Sequence, residues 1–232
     1  MTAWNASVSQ TFDNKGPALL LLDLDGTLID SVPDLAAAVD SMLVGLGREP
    51  AGQQAVSHWV GNGADLLVRR ALCSGNEEQA QAMTADDVKP ARALFDTAYL
   101  NALHHATGAY PGVEQWLNLV SEAKVLVTNK PRLFTEPLLQ SLGWDHHFVM
   151  VICGDDLAEK KPSPQPLLFA CEKQGVNPVA ALMIGDSRND MQAAKNAGIR
   201  CAALTYGYNH GADISDSNPD WVIDNLLELN AL

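Results

Sequence analysis

The sequence predicts an α/β fold: a Rossmann-like parallel-sheet core with helices on both faces and a small inserted all-helical cap. Three observations carry that expectation. Short apolar runs recur along the chain and are nearly continuous rather than alternating. Helical stretches separate them. One interval between successive runs is far too long for a single crossover helix.

The strand candidates are residues 18–23, 125–128, 149–153, 180–185, 201–205 and 221–223. Unbroken apolar character suits parallel strands covered on both faces. Helical patterns near 112–122, 133–142, 164–174 and 189–196 lie between them, and this alternation predicts a parallel sheet. Ser163-Pro164 offers an N-cap followed by proline at the first helical position. Gly175 and Gly198 stand where helix C-caps belong. Asp23 and Thr128, which end the first two runs, are 105 positions apart. A strand–helix–strand unit needs about 30 residues or somewhat more. The excess, 33–105, reads as helical, with apolar periodicity in 35–46 and 94–103 and breaks at Gly61-Asn62-Gly63 and Cys73-Ser74-Gly75-Asn76. The expected organisation is a polar extension over 1–16, a core from 17–32 and 108–232, and a helical insertion over 33–107.

Composition bounds the function. The chain has 232 residues, 47% of them hydrophobic and 19% charged, enough to bury a sizeable core and too apolar for wholesale disorder. A formal net charge of −13 makes nucleic acid and anionic lipid poor partners. No apolar run reaches the roughly 18–20 residues that cross a bilayer. The first 16 residues lack the basic and apolar regions of a signal peptide. Cys73, Cys153, Cys171 and Cys201 form no CxxC pair, which reads as reduced thiols of a cytoplasmic protein.

The chemistry-bearing residues cluster at the predicted strand ends. Asp23-Leu24-Asp25-Gly26-Thr27 follows the first apolar run, so two carboxylates sit where a buried strand ends, the rim at which open α/β sheets bind ligands. Two clustered carboxylates repel one another and call for a cation or a shared proton. Mg²⁺, which takes hard oxygen ligands, is the natural partner. The bland reading is that Asp-Gly is a common turn. Gly185-Asp186-Ser187-Arg188-Asn189-Asp190 follows another run, with Asp190 in the first helical turn, where it also suits simple capping. Thr128-Asn129 places a hydroxyl and an amide at a third strand end; such pairs are often ordinary turn residues. Lys160-Lys161-Pro162 brings cations, and the proline holds Lys161 extended; a lone lysine is ordinarily a solvated one. Together these groups suit phosphoryl transfer, with the metal and Lys161 neutralising the phosphoryl oxygens.

These motifs resemble those of the haloacid dehalogenase superfamily, over residues 18–225. Asp23-x-Asp25-Gly26-Thr27, Thr128, Lys161 and Gly185-Asp186-x-x-x-Asp190 fit its four motifs in order. The resemblance implies that Asp23 is the nucleophile forming an aspartyl-phosphate. Asp25 becomes the general acid and then the base, which points to a phosphatase or phosphomutase. Thr128, Asn129 and Lys161 become phosphate-binding groups. Mg²⁺ is implied on Asp23, the Asp25 backbone carbonyl and Asp186, with Asp190 nearby, and the insertion becomes a cap that closes over the site.

The segments 30–35, 59–64, 128–131, 160–162, 185–190 and 206–211 most resemble the phosphoglycolate phosphatase branch. The expected partner is therefore a small-molecule phosphomonoester, with the chain a monomer or dimer. A second anion on the substrate wants an arginine. Arg69 and Arg70 in the cap and Arg188 beside the acids are candidates, against the plain reading of a solvated helix face. The rivals are a sugar-phosphate phosphatase, a β-phosphoglucomutase-like enzyme, and a non-catalytic binding protein; the intact acid set argues against the last.

Overall fold

The computed structural model describes residues 3–231. Six strands form one parallel sheet: β1 (Leu19–Leu22), β4 (Ala123–Val127), β5 (Met150–Ile152), β6 (Ala181–Gly185), β7 (Arg200–Leu204) and β8 (Trp221–Ile223). Their order across the sheet is β5-β4-β1-β6-β7-β8. The register places Leu22 beside Leu126 on one side and Ile184 on the other. The strand ends that follow these residues are thus level with one another.

Leu19 to Leu22 are all fully buried because both faces of β1 are covered. Leu20 and Leu22 pack with Trp116 of α7 (Val113–Leu119) and Leu138 of α8 (Arg132–Leu142). Leu19 and Leu21 pack with Leu167 and Ala170 of α9 (Gln165–Gln174) and Met191 and Ala194 of α10 (Arg188–Ala197). The α9 and α10 helices end on Gly175 and Gly198, each left-handed with φ near 65° and 69°, which glycine adopts without a Cβ penalty.

Five helices fill the long interval: α2 (Val32–Gly45), α3 (Gln53–Ser57), α4 (Ala64–Leu72), α5 (Glu77–Ala82) and α6 (Ala85–Ala102). They enclose their own apolar cluster, including Val39, Met42, Leu67, Phe95 and Tyr99, which also receives Phe134 from α8. At the base lies an antiparallel ribbon of two-residue strands, β2 (Ile29–Asp30) and β3 (Gly108–Ala109). Asp34 closes the two chain crossings: its carboxylate accepts from the backbone N–H of Ala106 and Thr107, both at 2.9 Å, and from the Thr107 hydroxyl at 2.7 Å.

The first sixteen residues, expected as a polar extension, are docked over the residues described. Helix α1 (Ala6–Thr11) carries Val8 into the core cluster together with Trp4 and Phe12. Trp4 also bridges to Asn230 and donates from its indole to Glu122 at 2.9 Å. Mean polarity hid three anchors spaced four apart, of which only Val8 lies within α1, Trp4 preceding the helix and Phe12 capping its end. No helix among the described residues is long and apolar enough to cross a membrane.

Candidate active site

The site is assembled at the carboxyl rim of the three central strands. Asp23 follows β1, and its backbone N–H donates to Ile184 at 3.0 Å, continuing the sheet one residue further. Thr128 follows β4 and donates likewise to Ile152 at 2.9 Å. Asp186 follows β6. Lys161 arrives from the loop after β5, joined to Pro162 by a cis peptide bond.

Asp23, Asp186 and Asp190 are buried, and each offers a carboxylate oxygen within 4.8 Å of the other two. The Lys161 ammonium uses all three of its donors here: 2.8 Å to Asp23 Oδ1, 2.7 Å to Asp190 Oδ1 and 2.6 Å to the Val127 carbonyl. Asp190 serves two ends at once. Its Oδ1 meets Lys161, and its Oδ2 accepts from the backbone N–H and hydroxyl of Ser187 in a capping box. The capping reading and the site reading of this residue are therefore compatible. Gly185 makes room for it, since a Cβ there would lie 2.4 Å from Asp190 Cγ.

Asp186 is held by both oxygens. Oδ1 accepts from the Thr27 hydroxyl and Oδ2 from the Tyr208 backbone N–H, each at 2.6 Å. Gly26 turns at a φ of 88°, and a Cβ there would lie 2.3 Å from Asp186 Oδ2. The turn is thus glycine for both conformation and space. Asp25 points the other way along the rim. It accepts from the Ser31 hydroxyl at 2.5 Å and forms an ion pair with Lys130, whose Nζ lies 2.9 and 3.2 Å from its two oxygens.

The electrostatics follow from this crowding. Burial pushes the Asp23 carboxyl up to about 7; Lys161 opposes the rise, while Asp190 and Asp25 add to it. Asp186 is raised well above the usual carboxylate range, first by burial and then by Asp23 and Asp190. Burial also works against the Lys161 charge, but Asp190 and Asp23 outweigh it and hold the ammonium protonated. Four carboxyl groups share the buried space with two ammoniums, so their full ionisation would leave a deficit of two positive charges. A divalent cation fits that deficit, and the Asp23–Asp186–Asp190 cluster supplies the hard oxygen donors it needs.

Beside these groups lies a narrow cavity walled by Leu35, Leu67, Phe95, Tyr99 and Phe134 and floored by Asp23, Asp25, Thr128 and Lys130. Its volume is about 40 Å³, room for a few waters.

Not every expected residue arrives in the expected role. Asn129 donates its amide to the Gly61 and Lys161 carbonyls at 3.0 and 2.9 Å, so it latches the helical unit to the core. Its Oδ1 is buried and unpaired, and an acceptor oxygen offers a phosphate anion nothing. Arg70 is turned inward, bonded to Glu77, Asn62 and the Trp59 carbonyl, and Arg69 donates to the Met83 carbonyl. Neither lines the cavity, because each guanidinium is committed within the helical unit. Arg188 is exposed. Sequence reasoning passed over Lys130, Thr27, Ser31 and Tyr208 as individual site groups. A signal existed for each, since all four lie inside or beside the quoted motifs.

The haloacid dehalogenase-like hydrolase family model matches residues 20–204. A phosphoglycolate phosphatase of Pseudomonas putida is 51% identical over 225 residues, covering 95% of this chain and 81% of that one. Phosphoglycolate phosphatase 1 of Pseudomonas aeruginosa is 49% identical over 221 residues, covering 94% and 80%. A crystal structure of a predicted phosphoglycolate phosphatase from Haemophilus somnus superposes with a TM-score of 0.83 at 37% identity, covering 90% of this chain and 94% of that one.

Proposed function

The chain belongs to the haloacid dehalogenase-like hydrolases, and from that premise we propose that it is a Mg²⁺-dependent phosphomonoesterase whose substrate is 2-phosphoglycolate. The observation that carries the reading is the meeting of Asp23, Asp186 and Asp190 around one point, with Lys161 bonded to two of them. Asp23, Asp186 and Asp190 are the side chains that would hold the metal, together with the Asp25 backbone carbonyl; when bound, it neutralises phosphoryl oxygens and lowers the Asp23 pKa.

The chain's own residues do the rest. A carboxylate oxygen of Asp23 attacks phosphorus, and the bond to the alcohol oxygen breaks, leaving an aspartyl-phosphate. Asp25 gives that leaving oxygen its proton. It then takes a proton from water, which attacks the aspartyl-phosphate and releases inorganic phosphate and Asp23. Thr128 and Lys161 steady the phosphoryl group; Lys161 does so by trading one of its present acceptors for a phosphoryl oxygen. The helical unit excludes bulk water, so the aspartyl-phosphate meets only the water that Asp25 activates.

Two features support the small substrate. The cavity is compact, and relatives at about half identity carry the name phosphoglycolate phosphatase. The test is phosphate release from 2-phosphoglycolate and from a panel of sugar phosphates, with Mg²⁺ and with EDTA. Metal-dependent release that is fastest from phosphoglycolate is the expected result. It should be lost by several orders of magnitude in Asp23→Asn without loss of fold. Near-wild-type release by that variant, or preference for a hexose phosphate, would overturn the reading.

A further inference from the structure

Lys130 takes no part in the phosphoryl chemistry above, yet it is among the most enclosed charges in the molecule, with its side chain 3% exposed. It is the one cation among the residues lining the cavity. Two of its donor directions go to the oxygens of Asp25. Its nitrogen also lies 4.8 Å from the centre of the Tyr99 ring, a cation–π contact strengthened by the dry surroundings. Burial works against the charge, but Asp25 and Tyr99 outweigh it and keep the ammonium protonated.

Tyr99 provides a second, independent observation. It lines the same cavity, and its buried hydroxyl lies beside the Lys130 ammonium while its own proton meets no acceptor of good geometry. Burial of an unsatisfied hydroxyl costs about 1–3 kcal/mol. The apolar wall of Phe95 and Phe134 offers the Tyr99 hydroxyl no acceptor. An ammonium and a buried hydroxyl whose proton meets no acceptor, side by side on a cavity wall, make a seat for a carboxylate.

We propose that Lys130 and Tyr99 form the subsite for the substrate's second anionic group, a carboxylate on the carbon that bears the ester oxygen. The inference rests on the phosphomonoesterase reading above and names the residues that select its substrate. The position fits. Asp25 protonates the leaving oxygen, and Lys130 stands one hydrogen bond beyond Asp25, just as the carboxylate of phosphoglycolate stands one carbon beyond that oxygen. The cap arginines do not compete for the role, since both are bonded elsewhere.

The test compares kcat/KM for 2-phosphoglycolate with that for ethyl phosphate, which has a methyl in place of the carboxylate. The wild-type ratio should fall about 10–100-fold in Lys130→Met, as expected for a lost charge-assisted bond. Most of that fall should appear in KM for phosphoglycolate. Tyr99→Phe should lower the ratio by about 3–10-fold, and Lys130→Arg should retain part of it. An unchanged ratio in both Lys130→Met and Tyr99→Phe overturns this assignment while leaving the phosphatase reading intact. A wild-type enzyme that releases no phosphate, or that prefers ethyl phosphate, overturns that reading and this one with it. Should Lys130→Met fail to fold, the near-isosteric Tyr99→Phe reads the same ratio.

Discussion

Thr27 and Asp186, 159 positions apart, are joined by a hydroxyl-to-carboxylate hydrogen bond of 2.6 Å. With the Tyr208 N–H on the other oxygen, the bond fixes the plane of the Asp186 carboxylate and leaves its remaining lone pairs to face Asp23 and Asp190. Outer partners of this kind orient a ligand without touching the metal. Their loss costs about 10–100-fold in metal affinity. Thr27→Val should therefore raise the Mg²⁺ concentration for half-maximal activity by that factor, with a much smaller change at saturating metal. A Mg²⁺ titration of phosphate release reads it directly; an unchanged half-saturation point contradicts the role.

The Asp23 carboxyl, raised to about 7, ties stability to pH. The ordinary value is about 3.9, so between those two values the folded protein holds a proton that the unfolded chain has lost. The stabilisation is fully present below about 4, declines as pH rises and is gone above about 7. In EDTA, the thermal midpoint should fall from pH 5.5 to pH 8. Mg²⁺ prefers the ionised carboxylate, so its stabilising effect should be larger at pH 8. Asp23→Asn carries no titrating group there and should lose this part of the slope. Equal slopes in the variant and the wild type would refute the linkage.

The carboxylate of Asp34 holds the two chain crossings beneath the helical unit through two backbone N–H groups and one hydroxyl. It is 3% exposed, so truncation strands these donors away from water. Asp34→Ala should cost on the order of 3 kcal/mol in urea denaturation. Asp34→Asn keeps acceptance through a single oxygen and should cost less. A neutral alanine variant would show that the ribbon of β2 and β3 closes the crossing unaided.

Some of this architecture is legible in the residues and some is not, for physical reasons. The run 18–23 reads as a doubly covered strand because both of its faces must be apolar, and Gly175 and Gly198 mark helix ends because left-handed backbone selects glycine. The two-residue strands β2 and β3 have no periodicity to detect. Trp4, Val8 and Phe12 are diluted by polar neighbours. The acids meet at one rim because Asp23 and Asp186 follow neighbouring central strands and Asp190 stands in the first turn of α10, just beyond β6. Lys130, after Thr128-Asn129, and Arg70, in the largely apolar run 66–73, both read in sequence as basic residues with no partner in view. What separates them is the partner: Asp25 at the cavity for one, Glu77 in the helical unit for the other. Only the folded chain supplies those partners.

Asp25 is ion-paired with Lys130 and is also the acid proposed to protonate the leaving oxygen, so its substitution would separate chemistry from binding. An aryl oxide leaves readily without a proton, whereas an alkoxide does not. Asp25→Asn should therefore slow an alkyl phosphate by about 10²–10⁴-fold and p-nitrophenyl phosphate considerably less. The asparagine keeps an acceptor for Ser31 and Lys130, so folding should survive. Its loss should appear in kcat for the alkyl ester rather than in KM, since the proton moves only in the transition state. Rapid-quench phosphate release with both esters gives the comparison, and equal losses would remove Asp25 from the proton-transfer step.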